Sequence, residues 1–324
     1  MKLLVTGGAG YIGSIVAKHL LEAGHEVVVF DNLENGHRAA VPSGAELVEG
    51  DLLDRDAVGK VVTPDLDGAL HFAALALVAE SVSHPERYYR TNVGGTLNLL
   101  EAMNGAGVRR LVFSSTCAVY GEPDETPIHE TVVPRPVNAY GASKLSVDLM
   151  IGDFCHAHGL GAVSLRYFNV AGASDGLGED HDPETHLIPN VLRAALGAAS
   201  EVNIYGTDYP TDDGTAVRDY IHIHDLAVAH LLALEATSEG EHKIFNLGTG
   251  SGFSVRQVIE TAQSVTGRQI PAREAARRPG DPPVLVAASD RIKAELGWEP
   301  TKTLESMVGD AWAFAQAHPN GYGD

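Results

Sequence analysis

The first half of the chain alternates between short apolar runs and longer amphipathic stretches. Six apolar runs have the length of a β-strand, and they cover residues 3–6, 26–30, 46–51, 67–72, 109–115 and 162–168. Between several of these runs, apolar residues recur at helical spacing over residues 11–23, 85–105 and 138–158. Strands that alternate with helices in this way predict a parallel sheet with helices on both faces. The expected fold class is therefore α/β, with a doubly wound parallel sheet.

The second half has shorter elements separated by polar turns. Residues 172–185 are rich in Gly and Asp and predict a loop. The apolar patterns predict strands over 202–205 and 244–247, and helices over 187–197, 226–234 and, behind the N-cap Ser254, up to about Thr266, with two more near Arg291 and Leu304. We expect two domains, over residues 1–171 and 172–324, of which the second is a smaller α/β domain.

Three glycines follow the first predicted strand with the spacing G-x-x-G-x-x-G. Gly7 permits a tight turn, Gly10 lets the backbone approach a pyrophosphate, and Gly13 allows close packing of helix and strand. The N-terminus of the next helix favours phosphate groups. Asp31, 18 residues past Gly13, can accept hydrogen bonds from a ribose diol, and its charge would repel a 2′-phosphate. The pattern predicts a Rossmann-type domain that binds NAD rather than NADP.

Other candidate residues stand where predicted strands end, because ligands of open parallel sheets bind beyond the carboxyl ends of the strands. Asp51 follows the third strand, where an adenine contact and an ordinary turn explain it equally well. Phe72, Ala73 and Ala74 end the fourth strand, and the small residues let backbone lie against a cofactor. Thr116 follows the fifth strand, where it is placed for chemistry or caps a turn.

Tyr140 and Lys144 are four residues apart on a predicted helix and so lie on one face. A free phenol has a pKa of about 10, so a phenolate base near pH 7 requires about 4 kcal/mol of stabilisation. An ammonium group one turn away supplies part of it. Alone, such a pair is more often an aromatic side chain and a solvated lysine. Together with the glycine turn and Thr116, it predicts a catalytic base.

Composition limits the partners. The chain of 324 residues carries a net charge of −20, which argues against a nucleic-acid surface. Phosphate-bearing ligands must then be held by local arginines and helix N-termini. No run of 18 apolar residues predicts a membrane span, and the first strand follows Lys2 without room for a signal peptide. Cys117 and Cys155 indicate no disulfide framework. We expect a cytoplasmic protein.

Two histidine pairs were considered as metal ligands. His156 and His158, like His222 and His224, are spaced i, i+2, which points them to different faces of a helix. No Cys or acidic cluster was found to complete either site. The sequence analysis therefore predicts no metal.

Several motifs together resemble the extended short-chain dehydrogenase/reductase superfamily and, within it, the 4-epimerases of UDP-hexoses. The resemblance runs nearly end to end. The residues that carry it are the glycine turn within 5–14, Asp31-Asn32, His71–Leu75, Tyr140-x-x-x-Lys144, Tyr167–Asn169, Tyr209–Thr215, Arg218–His222, Asn246–Gly248 and His318–Tyr322. It implies NAD-dependent interconversion of UDP-galactose and UDP-glucose in galactose metabolism, by transient oxidation at C4 of the sugar through a 4-keto intermediate.

The resemblance also implies roles for individual residues. Tyr140 would be the base, Lys144 would bind the nicotinamide ribose and tune Tyr140, and Thr116 would hydrogen-bond the 4-hydroxyl. The implied NAD contacts are Gly7, Gly10, Tyr11, Ile12, Gly13, Asp31, Asn32, Asp51, Leu52, Phe72, Ala73, Ala74, Asn92, Tyr140, Lys144 and Phe168. The implied UDP-sugar contacts are Thr116, Tyr140, Asn169, Leu187, Asn203, Tyr205, Arg218, Arg278 and Asp281.

Some positions depart from the family pattern. Thr116 replaces a frequent Ser, and either hydroxyl can serve. Ala76 replaces a frequent Lys, which predicts looser NAD binding. Leu285 stands where some members have a bulky aromatic residue beside the sugar. This raises the alternative of an epimerase that acts also or mainly on N-acetylated UDP-hexoses.

Two further alternatives were weighed. A 4,6-dehydratase of the same superfamily would carry an Asp-Glu pair after Thr116, where this chain has Cys117-Ala118. A non-catalytic NAD-binding regulator would need none of Thr116, Tyr140 and Lys144. The resemblance also implies a homodimer formed through the helices over 85–105 and 140–158, and segments of the second domain that return to the first.

Overall fold

The computed structural model describes residues 1–278 and 281–323. Its strands are, in chain order, β1 (Lys2–Thr6), β2 (Glu26–Asp31), β3 (Glu46–Glu49), β4 (Gly68–His71), β5 (Arg110–Thr116), β6 (Gly161–Tyr167), β7 (Asn169–Ala171), β8 (Val202–Tyr205), β9 (Val217–Arg218), β10 (Tyr220–His222), β11 (His242–Leu247), β12 (Phe253–Ser254), β13 (Ala272–Ala275), β14 (Val284–Leu285) and β15 (Pro319–Tyr322).

The helices are α1 (Tyr11–Glu22), α2 (Arg55–Val61), α3 (Val78–Ser83), α4 (Pro85–Tyr88), α5 (Gly95–Ala106), α6 (Ala139–His158), α7 (Leu187–Ala195), α8 (Ile223–Glu235), α9 (Val255–Thr266), α10 (Asp290–Leu296) and α11 (Leu304–Ala317). A π-helical segment, Tyr89–Gly94, joins α4 to α5. The helix predicted over 85–105 is therefore one helical path with a π-helical middle.

Seven parallel strands form the central sheet, in the order β11-β6-β5-β4-β1-β2-β3. The predicted fold class, a doubly wound parallel sheet, is confirmed. The chain moves outward in one direction from β1 through β2 to β3, and in the other from β4 through β5 to β6. Between β1 and β4 the direction reverses, and such a switch point opens a crevice at the carboxyl ends of the strands.

Alternate residues of the buried strands feed two apolar clusters, because side chains along a strand point to opposite faces. Leu3 and Val5 pack with residues of α1 and α8 in one cluster. Leu4 packs with residues of α2, α5 and α6 in the other. Both faces of the sheet are thus covered, which explains why its strands are almost continuously apolar.

The second half of the chain forms a core of its own and also adds a strand to the central sheet. Its helices α7, α9 and α11 share a core of their own, which includes Ile188, Val258 and Met307. The strand β11 instead extends the central sheet, where His242–Leu247 pairs in parallel with Ala162–Tyr167 of β6. The prediction over 244–247 missed the first two residues of this strand, His242 and Lys243, and its pairing with β6, because nothing local marks which sheet a strand joins.

Two further parts of the fold have no counterpart in the sequence prediction. The strands β9 and β10 lie on either side of Asp219, a buried carboxylate that accepts hydrogen bonds from the backbone of Thr249, Gly250 and Ala287. The helix α2 was not predicted, although Asp54 caps it by accepting from two backbone amides of its first turn. No helix in the described parts of the chain is both long enough and apolar enough to cross a membrane.

Candidate active site

The glycine turn between β1 and α1 lies at the switch point of the sheet. Gly7 has a φ of +71°, and a Cβ atom there would stand 2.5 Å from the backbone nitrogen of Ala73. A Cβ atom on Gly13 would stand 2.2 Å from the carbonyl oxygen of Gly7. Both positions therefore require glycine for packing within the protein.

Gly10 differs from its two neighbours in the motif. The nearest atom to a Cβ placed on it is the Gly7 oxygen at 3.4 Å, so the protein leaves space there. Gly10 is also the N-cap of α1, and no side chain caps the first turn of that helix. The first-turn amides and the positive end of the helix dipole are thus left for an anionic ligand, which fits a dinucleotide pyrophosphate.

Asp31 ends β2 beside the glycine turn. Its side chain is nearly buried, since the residue is 8% exposed. One carboxylate oxygen accepts from the Ala9 amide at 3.0 Å and the other from the Leu33 amide at 2.9 Å. Burial raises the pKa of Asp31, and these two hydrogen bonds oppose the rise. A carboxylate held in this way suits the ribose diol of NAD.

The neighbouring predicted cofactor residues form a polar pair. Asn32 donates to the Asp51 carboxylate at 3.0 Å, and the other oxygen of Asp51 accepts from the Leu53 amide at 2.8 Å. Leu52, which stands between Asp51 and Leu53 in the sequence, is buried and packs into the core. The ends of β2 and β3 are thus joined at the edge of the crevice.

Asn92 serves as a connector inside the protein. Its side-chain oxygen accepts from the Leu75 amide at 2.8 Å, and its amide group donates to the Leu75 carbonyl at 3.1 Å and to the Ser143 hydroxyl at 3.0 Å. It fixes the segment after β4 against α6. The same segment begins with Phe72 and Ala73, whose amides both donate to the Thr6 carbonyl.

The three predicted catalytic side chains come together from two elements. Thr116 lies at the end of β5 and is buried, and its side chain is close enough to the Tyr140 hydroxyl to lower the pKa of that phenol. Tyr140 and Lys144 stand one turn apart at the start of α6, which Asn138 caps by accepting from the Gly141 amide at 2.8 Å. The cap fixes where the helix begins, and therefore where both side chains point.

Lys144 is buried one helical turn after Tyr140. Its ammonium group donates to the Ser114 carbonyl at 2.8 Å and lies 4.8 Å from the centre of the Phe113 ring. Burial lowers the pKa of Lys144 to about 8, against the opposing charge of Asp148. Burial raises the pKa of Tyr140 to about 12, and the Thr116 hydrogen bond acts in the other direction. A Tyr140 phenolate near pH 7 therefore needs added positive charge, which an oxidised nicotinamide carries.

Several predicted substrate residues meet on the opposite side of the crevice. Arg218 donates to the Val217 carbonyl at 2.8 Å and forms an ion pair with Asp281. Leu285 is the strand partner of Arg218 across β9 and β14. Arg218 also acts on the pKa of Cys117, the residue after Thr116. These contacts bring the arginine close to the catalytic residues.

The remaining predicted substrate residues are distributed around this group. The Arg278 guanidinium lies 4.0 Å from the centre of the Tyr205 ring. Asn203 accepts hydrogen bonds from Arg273 at 3.2 and 3.3 Å, so its oxygen is shared with a cation that the sequence analysis did not single out. Asn169 donates to the carbonyl of Asp219 at 2.8 Å.

Four predicted contacts lie at the start of a helix or in apolar packing. Leu187 is the first residue of α7. Phe168 packs in a small apolar cluster with Leu285 and with Val119 and Tyr120, which follow Thr116. Tyr11 is the first residue of α1, and its hydroxyl donates to the Gly172 carbonyl at 2.6 Å. Ile12 packs against the core on one face of the sheet.

The arrangement defines a class of protein: a doubly wound domain with a glycine turn at the switch point of its sheet, and with Tyr140 and Lys144 of α6 beside Thr116 at the end of β5. Residues 3–248 match the model of the NAD dependent epimerase/dehydratase family, and the chain belongs to this family. The predicted resemblance and the prediction of NAD, on which the family depends, are confirmed.

Within the family, the chain is similar to UDP-glucose 4-epimerases. It is 58% identical to that of Streptomyces lividans over 325 aligned positions, which cover 100% of this chain and 98% of the relative. The solved structure from Brucella ovis in complex with NAD is 45% identical, with a TM-score of 0.92 over 96% of this chain and 97% of that one. The structure from Bifidobacterium longum in complex with NAD+ and UDP is 36% identical, with a TM-score of 0.94 over 99% and 100%.

Proposed function

We propose that this chain is an NAD-dependent isomerase that interconverts UDP-galactose and UDP-glucose by inverting the hydroxyl group at C4 of the hexose. The observation that carries the proposal is that the buried Thr116 at the carboxyl end of β5 acts directly on Tyr140, which lies with Lys144 at the start of α6. It gives a base and a hydroxyl partner at one point of the crevice. The similarity to UDP-glucose 4-epimerases over the full chain supports the choice of substrate.

Tyr140 would accept the proton of the 4-hydroxyl while Thr116 hydrogen-bonds the same oxygen. Bound NAD would supply the hydride acceptor for the oxidation at C4 and the hydride donor for the reduction that follows. The 4-keto sugar turns about its link to UDP before the hydride returns, so the opposite face is reduced. Tyr140 then gives its proton to the new hydroxyl. Lys144 would hold the nicotinamide ribose beside Tyr140.

The UDP part of the substrate must stay bound while the hexose turns. We assign Arg218 and Arg278 to the diphosphate, because a chain with a net charge of −20 must supply positive charge locally. Arg218 is paired with Asp281, which orients the guanidinium in the absence of a ligand. Firm contacts to UDP and loose contacts to the sugar are what this reaction requires.

The first experiment is to assay conversion of UDP-galactose to UDP-glucose by the purified protein without added NAD. We expect conversion, since no net oxidation occurs and bound NAD need not leave. Conversion that appears only on adding NAD would support the proposed reaction. It would also point to Ala76 as the cause of weak NAD retention. No conversion even with NAD would reject the proposal.

The matched variant is Tyr140→Phe, which keeps the ring and removes the hydroxyl. We expect turnover to fall by about 10²–10⁴-fold, the usual contribution of a general base, while binding of UDP measured by calorimetry is unchanged. Near-normal turnover in this variant would mean that Tyr140 is not the base.

We also propose a homodimer formed through α4, α5 and α6. Large apolar side chains are exposed on α5 and α6, at Leu97 and Leu149, and on the π-helical segment between α4 and α5, at Tyr89, and we expect a dimer to cover them. We further assign residues 1–171 to NAD and 172–324 to the UDP-sugar, and the chain to the cytoplasm, where the free Cys117 and Cys155 would stay reduced.

A further inference from the structure

A second cluster of polar side chains lies in the loop between β7 and α7. It consists of Glu179, His181, Glu184 and His186, and one ligand atom from each lies within 4.8 Å of all the others. The sequence analysis treated this segment only as a loop. The available signal was a repeated Glu-x-His triplet, at 179–181 and again at 184–186.

Both histidines present the same ring nitrogen, Nδ1, to both carboxylates. From His181 the distances are 3.1 Å to Glu179 and 3.9 Å to Glu184. From His186 they are 2.7 Å to Glu179 and 3.1 Å to Glu184. Four tetrahedral ligands at about 2.0–2.2 Å from a zinc ion stand about 3.3–3.6 Å from one another. The four His–Glu separations bracket this range, with Glu184 turning Oε2 to His181 and Oε1 to His186.

The two carboxylates are buried without a permanent cation. The side chains of Glu179 and Glu184 are only 8% and 5% exposed. All ion pairs of these two residues within the described chain are with His181 and His186. Burying two carboxylates side by side is costly unless positive charge is present between them. Nitrogen and oxygen donors in this combination suit zinc and similar divalent transition metals.

We propose that Glu179, His181, Glu184 and His186 bind one divalent transition metal ion, with zinc as the preferred ion. The site supplies four protein ligands, and structural zinc sites are closed in this way. Its role would be to fix the loop, with no step in the epimerisation.

The loop touches parts of the molecule that belong to the cofactor and substrate sites. The His181 ring stands edge-on to Tyr11, at 6.4 Å between ring centres, at the start of α1. Asp180, inside the cluster segment, accepts from the backbone amide of Tyr322 at 2.9 Å. His186 directly precedes Leu187, the first residue of α7. A metal ion here would fix the start of α1, the strand β15 and the start of α7 relative to one another.

The test uses the full chain, purified without a histidine tag, stripped with a chelator and then dialysed against zinc chloride. We expect one zinc ion per chain by mass spectrometry after desalting, and a higher melting temperature with zinc than without. Cobalt(II) in place of zinc should give the intense visible absorption of a four-coordinate site. A wild-type chain that retains no zinc and gives no such spectrum would overturn the proposal.

The double variant His181→Gln/His186→Gln should lose the bound zinc and the zinc-dependent rise in melting temperature. The matched control is His129→Gln/His156→Gln, which removes two exposed histidines elsewhere and should behave like the wild type. The conservative Glu184→Gln variant provides a second measurement should the double variant fold poorly. Equal zinc binding by the wild type and these cluster variants would show that the ion binds elsewhere and overturn the assignment.

Discussion

Gly10 and Gly13 are three residues apart in one turn, yet a methyl group would meet different surroundings at each. At Gly13 it would collide with the Gly7 carbonyl at 2.2 Å, whereas at Gly10 it would make an ordinary contact at 3.4 Å. Gly10 also has an extended backbone, with φ of −84° and ψ of 173°, which alanine adopts freely. Packing within the fold therefore requires glycine at position 13, whereas at position 10 it does not, which supports the proposed contact of Gly10 with NAD.

The two alanine variants should separate these roles. Gly13→Ala should lower the melting temperature and the yield of folded protein, because the turn cannot close. Gly10→Ala should fold like the wild type but retain less NAD, because its methyl group occupies the path of the pyrophosphate. The measurements are thermal unfolding and the NAD content per chain after desalting. Normal NAD content in Gly10→Ala would contradict the assigned phosphate approach.

Burying the charged Lys144 side chain lowers the free energy of unfolding. Burial lowers its pKa from 10.5 to about 8. Between these two values the unfolded chain binds a proton that the folded chain has released, so the free energy of unfolding rises as the pH rises through this window. A shift of this size corresponds to about 3 kcal/mol.

This loss of stability can be measured by comparing the wild type with the Lys144→Met variant, which keeps the length of the side chain and removes its charge. The stability of the wild type relative to the variant should increase by about 3 kcal/mol from pH 7.5 to pH 10.5. Urea unfolding at both pH values, at equal NAD occupancy, provides the comparison. A difference between the two proteins that is independent of pH would mean that Lys144 titrates normally.

At the scale of elements, α6 joins the catalytic site to the sheet. Lys144 is followed one turn later by Asp148, which forms a buried ion pair with Arg166 of β6 at 2.8 Å. Arg166 in turn donates to the Tyr120 hydroxyl at 3.0 Å, and that hydroxyl donates to Asn246 of β11 at 2.8 Å. The helix α6, which carries Tyr140 and Lys144, is thus fixed to the two strands at one edge of the sheet.

Asp148→Asn should destabilise the protein by about 3–5 kcal/mol, because it leaves the Arg166 charge buried without a counter-ion. The measurement is the free energy of unfolding in urea. Asp153→Asn, an exposed change on the same helix, is the control and should be nearly neutral. Equal effects of the two changes on the free energy of unfolding would show that the buried ion pair stabilises the protein no more than an exposed carboxylate does.

The long elements of the first half were predictable because their signals are local. Apolar runs and helical spacing marked β1 to β6, α1 and α6, and Ser254 marked the start of α9 as a capping residue. The strands β7, β9, β12 and β14 have two or three residues, which is too short for a period to appear. They exist because a distant strand pairs with them.

The candidate site divides in the same way. The glycine turn, Asp31 and the Tyr140-x-x-x-Lys144 pair could be found because spacing within a short segment defines them. The connection from Asn92 to Leu75 and Ser143 and the pairing of Arg218 with Asp281 join residues far apart in sequence. No periodicity or motif reports such contacts, so only the folded chain reveals them.

At the scale of the whole molecule, the proposed dimer rests on apolar side chains that the single chain leaves exposed. Leu149 is 64% exposed on the outer face of α6. Replacing it with a charged residue should weaken an interface formed there, because two charges would be buried at the symmetric contact. Leu149→Glu should therefore shift the molar mass in light scattering from dimer to monomer.

Val133→Glu is the control for this change, since Val133 is equally exposed, at 66%, but lies outside the three helices. It should leave the molar mass unchanged. A wild-type mass of one chain would rule out the proposed dimer, and a Leu149→Glu mass of two chains would move the interface to another surface.

The strand β11 has a consequence for how the molecule is made. Its partner β6 ends at Tyr167, whereas β11 ends at Leu247. A nascent chain on the ribosome must therefore extend about 80 residues beyond β6 before the sheet can be completed. Until then the hydrogen-bonding groups of β6 form an open edge, which can pair with another nascent chain. Translation speed over this stretch, and any chaperone that covers the edge, would then influence how much of the protein matures.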